Sequence, residues 1–277
     1  MGDRQRFRTS VFRESEVGMI EVDTANSQFV TRREIWFNTE ERPFGSAANN
    51  LYYQSLVEPR MNVVRLTDFS TLIHDLSMSS ETLMGGMKSR LRSQVRQASR
   101  VGITACVVDV ADDAELVAFL ASANRWAAHK GRSSFNAGRF KCMATSGQLV
   151  VIKSQVSEST VGYHSYVHDD SRARLLTSHH DPRVSDVKVV GLANKLLHWE
   201  SMLHFKEMGL RVYDMGGYDA KLTPGIARLK ESFGGQLERS WNFKIERGVY
   251  RVASAVRRFY MSGKRSGLVA PPANGDE

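Results

Sequence analysis

The sequence predicts an α+β (mixed α/β) protein: a central, largely antiparallel sheet flanked by helices, with a partial N-terminal lobe. Three observations carry this. Strand-like runs at 148–154, 160–168 and 172–178 follow one another at hairpin spacing, with polar turns at 157–159 and 169–171. A helix–strand–helix–strand succession closes the domain over 187–244. The hairpins interrupt the strand–helix alternation that a doubly wound dinucleotide fold needs.

In order along the chain, residues 1–15 read as a loosely attached tail. Strand-like runs follow at 19–22, 29–37 and 61–66, with a Glu-, Gly-, Asn- and Pro-rich loop at 38–50. Residues 77–100 read as one helix, capped by Ser79 or Ser80 with Glu81 in its first turn. Its buried stripe is Leu83, Met87, Leu91, Val95 and Ala98, and Gly102 stops it. An apolar strand at 103–110 precedes a helix at 114–129, capped by Asp112 or Asp113. A loop at 131–147 holds a short helical piece, and the three hairpin strands follow. In the second of them His164, Tyr166 and His168 share one face, opposite Tyr163, Ser165 and Val167.

A glycine-containing turn then opens a helix with the stripe Leu192, Leu196, Trp199 and Leu203, ending near Gly209. A strand at 211–215 stops at Gly216-Gly217. The next helix has the stripe Ile226, Leu229 and Phe233, and a strand at 236–244 and a helix at 249–260 complete the order. The division is a disordered tail at 1–15, a partial lobe at 16–101, a main domain at 102–260 and a flexible tail at 261–277.

Composition bounds the function. The 277 residues are 42% hydrophobic and 25% charged, ordinary for a soluble globular chain. No apolar run is long enough to span a bilayer, and the charged start lacks a signal-peptide core, so the expected location is the cytoplasm. Cys106 and Cys142 lie far apart, and Cys106 is expected to be a buried thiol in its apolar strand. No metal site is expected. The net charge of +8 favours anionic partners: nucleic acid, phosphate-rich molecules or, peripherally, an acidic membrane surface. Much of it gathers in one helix, as Lys88, Arg90, Arg92, Arg96 and Arg100.

Several motifs together resemble the FemAB-like branch of the GNAT acyltransferases. They are Tyr213-Asp214-Met215-Gly216-Gly217, then Gly225-Ile226, then Lys230-Glu231-Ser232-Phe233-Gly234-Gly235. The segment Arg92-Ser93-Gln94-Val95-Arg96-Gln97-Ala98 resembles a further family motif, and the likeness covers about 83–243. Peptidoglycan ligases of this branch are longer, with two full lobes. The better comparison is with shorter relatives tied to polysaccharide, amino-sugar and N-acyl amino acid synthesis.

The resemblance implies a GNAT-like fold and N-acyl transfer. The donor is an acyl thioester (acyl-CoA or acyl-carrier protein), with aminoacyl-tRNA as the alternative. The acceptor is an amine-bearing small molecule or a nucleotide- or lipid-linked amino sugar. The family's diphosphate loop, Arg/Gln-x-x-Gly-x-Gly/Ala, resembles Lys188-Val189-Val190-Gly191-Leu192-Ala193 with Lys in the first place, running on to Asn194, where backbone N–H groups at a helix start can cradle phosphate. His180, at a strand end beside the implied donor, and Asp214, before two glycines, are alternative bases; Asp214 could instead position the substrate amine or cap the Gly216-Gly217 turn. Lys230 is a candidate clamp for a phosphate or oxyanion. Arg92, Arg96, Arg100, His164, Tyr213 and Tyr218 are candidate substrate or anion contacts. The basic helix also fits the backbone of tRNA, which leaves open a non-catalytic RNA-binding module.

Overall fold

One sheet runs through the computed structural model, which describes residues 19–27, 30–43, 49–61, 63–248, 251 and 252. Its strands are β1 (Ile20–Ser27), β2 (Val30–Trp36), β3 (Asn49–Ser55), β4 (Arg65–Asp75), β5 (Ile103–Val108), β6 (Leu149–Val156), β7 (Ser159–His168), β8 (Arg172–His180), β9 (Val212–Gly217) and β10 (Gln236–Glu246). The helices are α1 (Ser80–Gly86), α2 (Ser89–Arg100), α3 (Asp113–His129), α4 (Ala137–Thr145), α5 (Val187–Glu207) and α6 (Pro224–Ser232). The strand order is β1-β2-β3-β10-β4-β9-β8-β7-β6-β5. All neighbours are antiparallel except β2/β3 and β8/β9. β4, from the N-terminal part of the chain, lies between β10 and β9.

Strand alternation sorts side chains into two cores. On one face, α2 and α5 cover the sheet, and Val95, Leu196, Trp199 and Phe205 pack with Tyr166 and Tyr213. On the other, α3 and α4 pack Phe119 and Phe140 against Tyr163 and Val167 of the same strand β7. Burying each large apolar side chain of α5 contributes roughly 1.5–3 kcal/mol, so this helix is anchored along its length.

The expected 77–100 helix is two helices. Ser79 caps α1 through Thr82 N, and the chain becomes extended at Met87, with ψ 150°. The break lets Lys88 N donate to Ser232 O at 2.9 Å. Gly234, at φ +83°, sits so close that a Cβ would lie 2.9 Å from Gly86 O. The expected stripe is buried throughout.

Three other expectations need correction. β3 begins at Asn49, inside the expected loop at 38–50, and the expected strand at 61–66 shifts to the eleven-residue β4, whose exposed start, 65–68, carries no alternating pattern. Cys106 is exposed, because β5 is the edge of the sheet and the thiol lies on its uncovered side. Ile226 is 52% exposed, and α6 buries Ala227 and Lys230 instead. The 249–260 helix, apart from 251 and 252, and both expected tails lie outside the described residues. Among the described residues no helix is long and apolar enough to cross a membrane.

Candidate active site

The sheet opens between β8 and β9. These parallel strands pair at three positions only, Arg172↔Val212, Ala173↔Tyr213 and Arg174↔Asp214. Beyond that, β9 leans on β4, with Thr71 opposite Gly217, and stops. β8 runs on to His180, paired with β7 alone. Its register steps from Tyr166↔Leu175 to Ser165↔Thr177, so Leu176 is a bulge. A bulge bends a strand and increases its twist. Gly216 accompanies the parting at φ +72°, where a Cβ would lie 2.8 Å from Leu175 O. The result is a bay whose β8 wall, 176–180, presents backbone N–H and C=O groups with no strand on that side.

A hydrogen-bonded chain lies on the α5 face beside the bay. His164 Nε2 is 2.8 Å from Asn194 Oδ1 and 3.0 Å from Ser178 Oγ. His164 Nδ1 is 3.0 Å from Tyr166 Oη, which is 3.0 Å from Tyr213 Oη. Tyr213 Oη is 2.7 Å from His198 Nδ1. With Asn194 Oδ1 as acceptor, His164 carries its proton on Nε2, Tyr166 donates to Nδ1, Tyr213 donates to Tyr166, and His198 donates to Tyr213. Ser178 is exposed and the next four groups are buried, so the chain runs inward from the bay. Burial keeps the interior uncharged: it lowers His164 to about 4, holds His198 well below 6.5 and raises Tyr213 well above 10.0.

Asp214 belongs to the opposite face and is fully buried. Its carboxylate accepts from Gln54 Nε2 at 2.8 Å, Gly216 N at 2.7 Å, Thr71 Oγ1 and Arg172 Nη2. Burial works against its charge, but Arg172 and Arg174 outweigh it and hold the carboxyl below the ordinary value. Four donors occupy the acceptor positions that a base would need. Arg172 also donates to Glu238 Oε1 at 2.7 Å.

Lys230 is buried on α6, and its Nζ donates to Gly216 O at 3.0 Å and Gly217 O at 2.6 Å. It clamps the end of β9, and burial lowers its pKa to about 8. His180 is half-buried at the end of β8, two residues from Ser178 and on the same face. Burial and the nearby Lys130 keep its pKa below 6.5. The next residue, Asp181, is held by Arg125 and Arg183 at 2.8 and 2.7 Å, which pins this strand end. Tyr218 is half-buried and donates to Glu231 at 2.6 Å.

The expected phosphate loop is not a loop. Lys188 to Asn194 form the first two turns of α5, and Asp186 caps its start by accepting from Lys188 N and Val189 N. Lys188 is exposed, Val190 and Gly191 are half-buried, Leu192 and Ala193 are core, and Asn194 joins the chain at His164. In α2, Arg92 donates to Gly85 O and Met87 O and closes α1, whereas Arg96 and Arg100 are exposed. The hydrogen-bonded chain brings His164, Asn194 and Tyr213 together beside the bay, and Lys230 holds the Gly216-Gly217 end of β9, whereas His180 stands apart, two residues beyond Ser178 and near Lys130. Arg96 and Arg100 lie on a separate helix. Ser178, Arg172 and Arg174 are additions. The two arginines, separated by one alanine and followed by two leucines at the start of β8, are the signal for a buried ionic site. Among the described residues no His, Cys, Asp and Glu side chains gather as three metal ligands.

The sequence matches the family model for the acetyltransferase (GNAT) domain over residues 86–224. No curated protein matches it. Among solved structures, FemX is similar at TM-score 0.53 and 13% identity, over 66% of this chain and 63% of that one. The C-terminal (DUF2156) domain of a protein assigned as a lysylphosphatidylglycerol synthetase, from Agrobacterium fabrum, is similar at 0.53 and 16%, over 95% and 90%. L-PGS from Bacillus licheniformis gives 0.52 and 12%, over 87% and 85%. At these identities the likeness is one of fold.

Proposed function

The chain belongs to the GNAT acetyltransferase family and is an acyltransferase, and from this premise we propose that it transfers an acyl group from a thioester to an amine in the bay between β8 and β9. The observation that carries the reading is the parting of the two strands after Arg174 and Asp214, with the Leu176 bulge at that point. It leaves a strand edge to receive an extended donor by backbone hydrogen bonds. The same N–H groups can stabilise a developing oxyanion.

The acceptor amine must lose a proton to become a nucleophile. His180 ends the β8 wall, and burial and the nearby Lys130 shift its pKa down, which favours the neutral imidazole, so it is the base in this reading. The nitrogen attacks the acyl carbonyl carbon, the C–N bond forms and the C–S bond breaks. The proton on the attacking nitrogen passes to His180, and the imidazolium gives it to the leaving thiolate, which departs as the thiol. Asp214 is assigned to the framework, as the anchor of Arg172 and Thr71. Lys230 fixes the Gly216-Gly217 wall of the bay. The acceptor is an amino sugar on a nucleotide or lipid carrier, or an amino acid, in polysaccharide synthesis.

A second reading keeps the chemistry and changes the donor to an aminoacyl-tRNA, in which a C–O bond breaks. The exposed Arg96 and Arg100 on α2, beside exposed Lys88 and Arg90, favour it as a backbone-contacting surface. The test is a titration at fixed salt with acetyl-CoA, a long-chain acyl-CoA and bulk aminoacylated tRNA. Saturable thioester binding supports the first reading. Tight tRNA binding without thioester binding, weakened by Arg96→Ala and Arg100→Ala, replaces it with the second.

A further inference from the structure

A guanidinium without a hydrogen-bonding partner stands on the face of the sheet opposite the His164 chain. Arg172 and Arg174 both project there from β8. Arg172 is ion-paired: its Nη2 donates to Asp214 and Glu238 and its guanidinium lies 4.6 Å over the Phe37 ring, although its Nε is buried and unpartnered. Arg174 makes no hydrogen bond or ion pair among the described residues, and its Nε is buried and unpartnered. What holds it is aromatic. Its guanidinium carbon lies 5.1 Å from the Trp36 ring centroid and 5.7 Å from that of Phe69. Trp36 is itself backed by Tyr53, with ring centroids 4.5 Å apart.

The nearby carboxylates are taken. Asp214 accepts from four donors. Glu34 is gripped by Arg139 Nε at 2.8 and 2.9 Å. Glu238 accepts from Arg172. Arg139 and Arg172 add like charge around Arg174, and burial already presses its pKa down to about 10. A guanidinium resting on π faces keeps its N–H fork in its own plane, free for a bidentate acceptor. Arg174 feels the charge of Asp214 but makes no hydrogen bond to it, and a half-buried guanidinium whose donors are unused is an incomplete arrangement.

We infer that Arg174, set between Trp36 and Phe69, is a binding site for an oxyanion group, carboxylate or phosphate, carried by a ligand of this protein. This does not rest on the acyl-transfer reading, since the site is on the other face of β8.

The experiment is a titration of the folded full-length chain with inorganic phosphate, acetate and, as a control, chloride at constant ionic strength, following the Arg174 side-chain Nε–H signal and the Trp36 indole signal by NMR. The expected result is a saturable shift with phosphate or acetate and none with chloride. The anion that saturates at the lower concentration assigns the group as phosphate or carboxylate. The Trp36 response is lost in Arg174→Gln and at least tenfold weaker in Arg174→Lys, which lacks the fork. It is unchanged in Arg125→Gln. Thermal midpoints give the second reading: Arg174→Gln stays within a few degrees of wild type, whereas Arg172→Gln falls well below. Non-saturating shifts, shifts equal in wild type and Arg174→Gln, or an Arg174→Gln chain as destabilised as Arg172→Gln would each overturn the site.

Discussion

Arg174 and Asp214 are the last paired residues of β8 and β9. Up to that pair the sheet is continuous, and beyond it the strands go to different neighbours. Both side chains point to one face, where Asp214 is saturated and Arg174 is not. The residues that end the pairing thus set the geometry of the bay on one side and an ionic cluster on the other.

Asp214→Ala leaves the Arg172 guanidinium buried beside a lost carboxylate. Breaking a buried pair in this way costs about 3–5 kcal/mol. The urea midpoint should fall accordingly, and the double variant Arg172→Met with Asp214→Leu should recover part of the loss. A normal midpoint with abolished turnover would instead return Asp214 to the role of base.

Gly216→Ala places a Cβ against Leu175 O, at a backbone conformation that L residues seldom adopt. The strain is of the order of 1–3 kcal/mol. Stability should fall by about that amount, and turnover should fall further, because the β9 wall moves. Chemical denaturation and steady-state kinetics on the same preparation separate the two effects.

Tyr166→Phe removes the hydroxyl joining His164 to Tyr213. Two buried polar atoms lose a partner, at a cost of roughly 1–3 kcal/mol. Thermal unfolding reads the cost. An unchanged midpoint would mean that the chain does not order the α5 face.

Acid should destabilise the protein before its carboxylates titrate. His74 and His164 have pKa values near 4 when folded and 6.5 otherwise, both through burial. The unfolded chain therefore binds more protons between these values. Their contribution is complete above about pH 6.5 and is lost as pH falls toward 4, at about 1.4 kcal/mol per pH unit for each. Urea midpoints between pH 7 and 5 should show this slope, and His164→Gln should remove one histidine's share of it.

His180 should shape the activity profile. Its folded pKa is below 6.5, so turnover should rise with pH below 6.5 and level off above it. His180→Ala should lose that limb along with most of the rate. A retained limb would assign the base to another group.

The regular elements were legible where periodicity is strong. The three hairpin strands, α3 and α5 follow from alternation and helical stripes. β4 was hidden, because residues 65–68, Leu66 included, are exposed and only the end of the strand is buried. The α1–α2 break depends on Ser232 and Gly234, distant residues that no local pattern reports. For the site, Tyr213, Asp214, Gly216 and Lys230 stood out in the sequence, but their partners did not. That Asp214 meets Arg172, Thr71 and Gln54 is a result of strand order. Gly191 suggests a turn within Lys188–Asn194, whereas the Asp186 cap and the core positions Leu192 and Ala193 hold the segment in α5.

The most direct test of donor binding in the bay is backbone hydrogen exchange over 170–182 with and without saturating acetyl-CoA. Donor bound in the bay should slow exchange at those amides of 176–180 that face away from β7, with 172–174 unchanged because they are already paired to β9. Exchange at 176–180 unaffected by the donor, with protection appearing elsewhere, would contradict it.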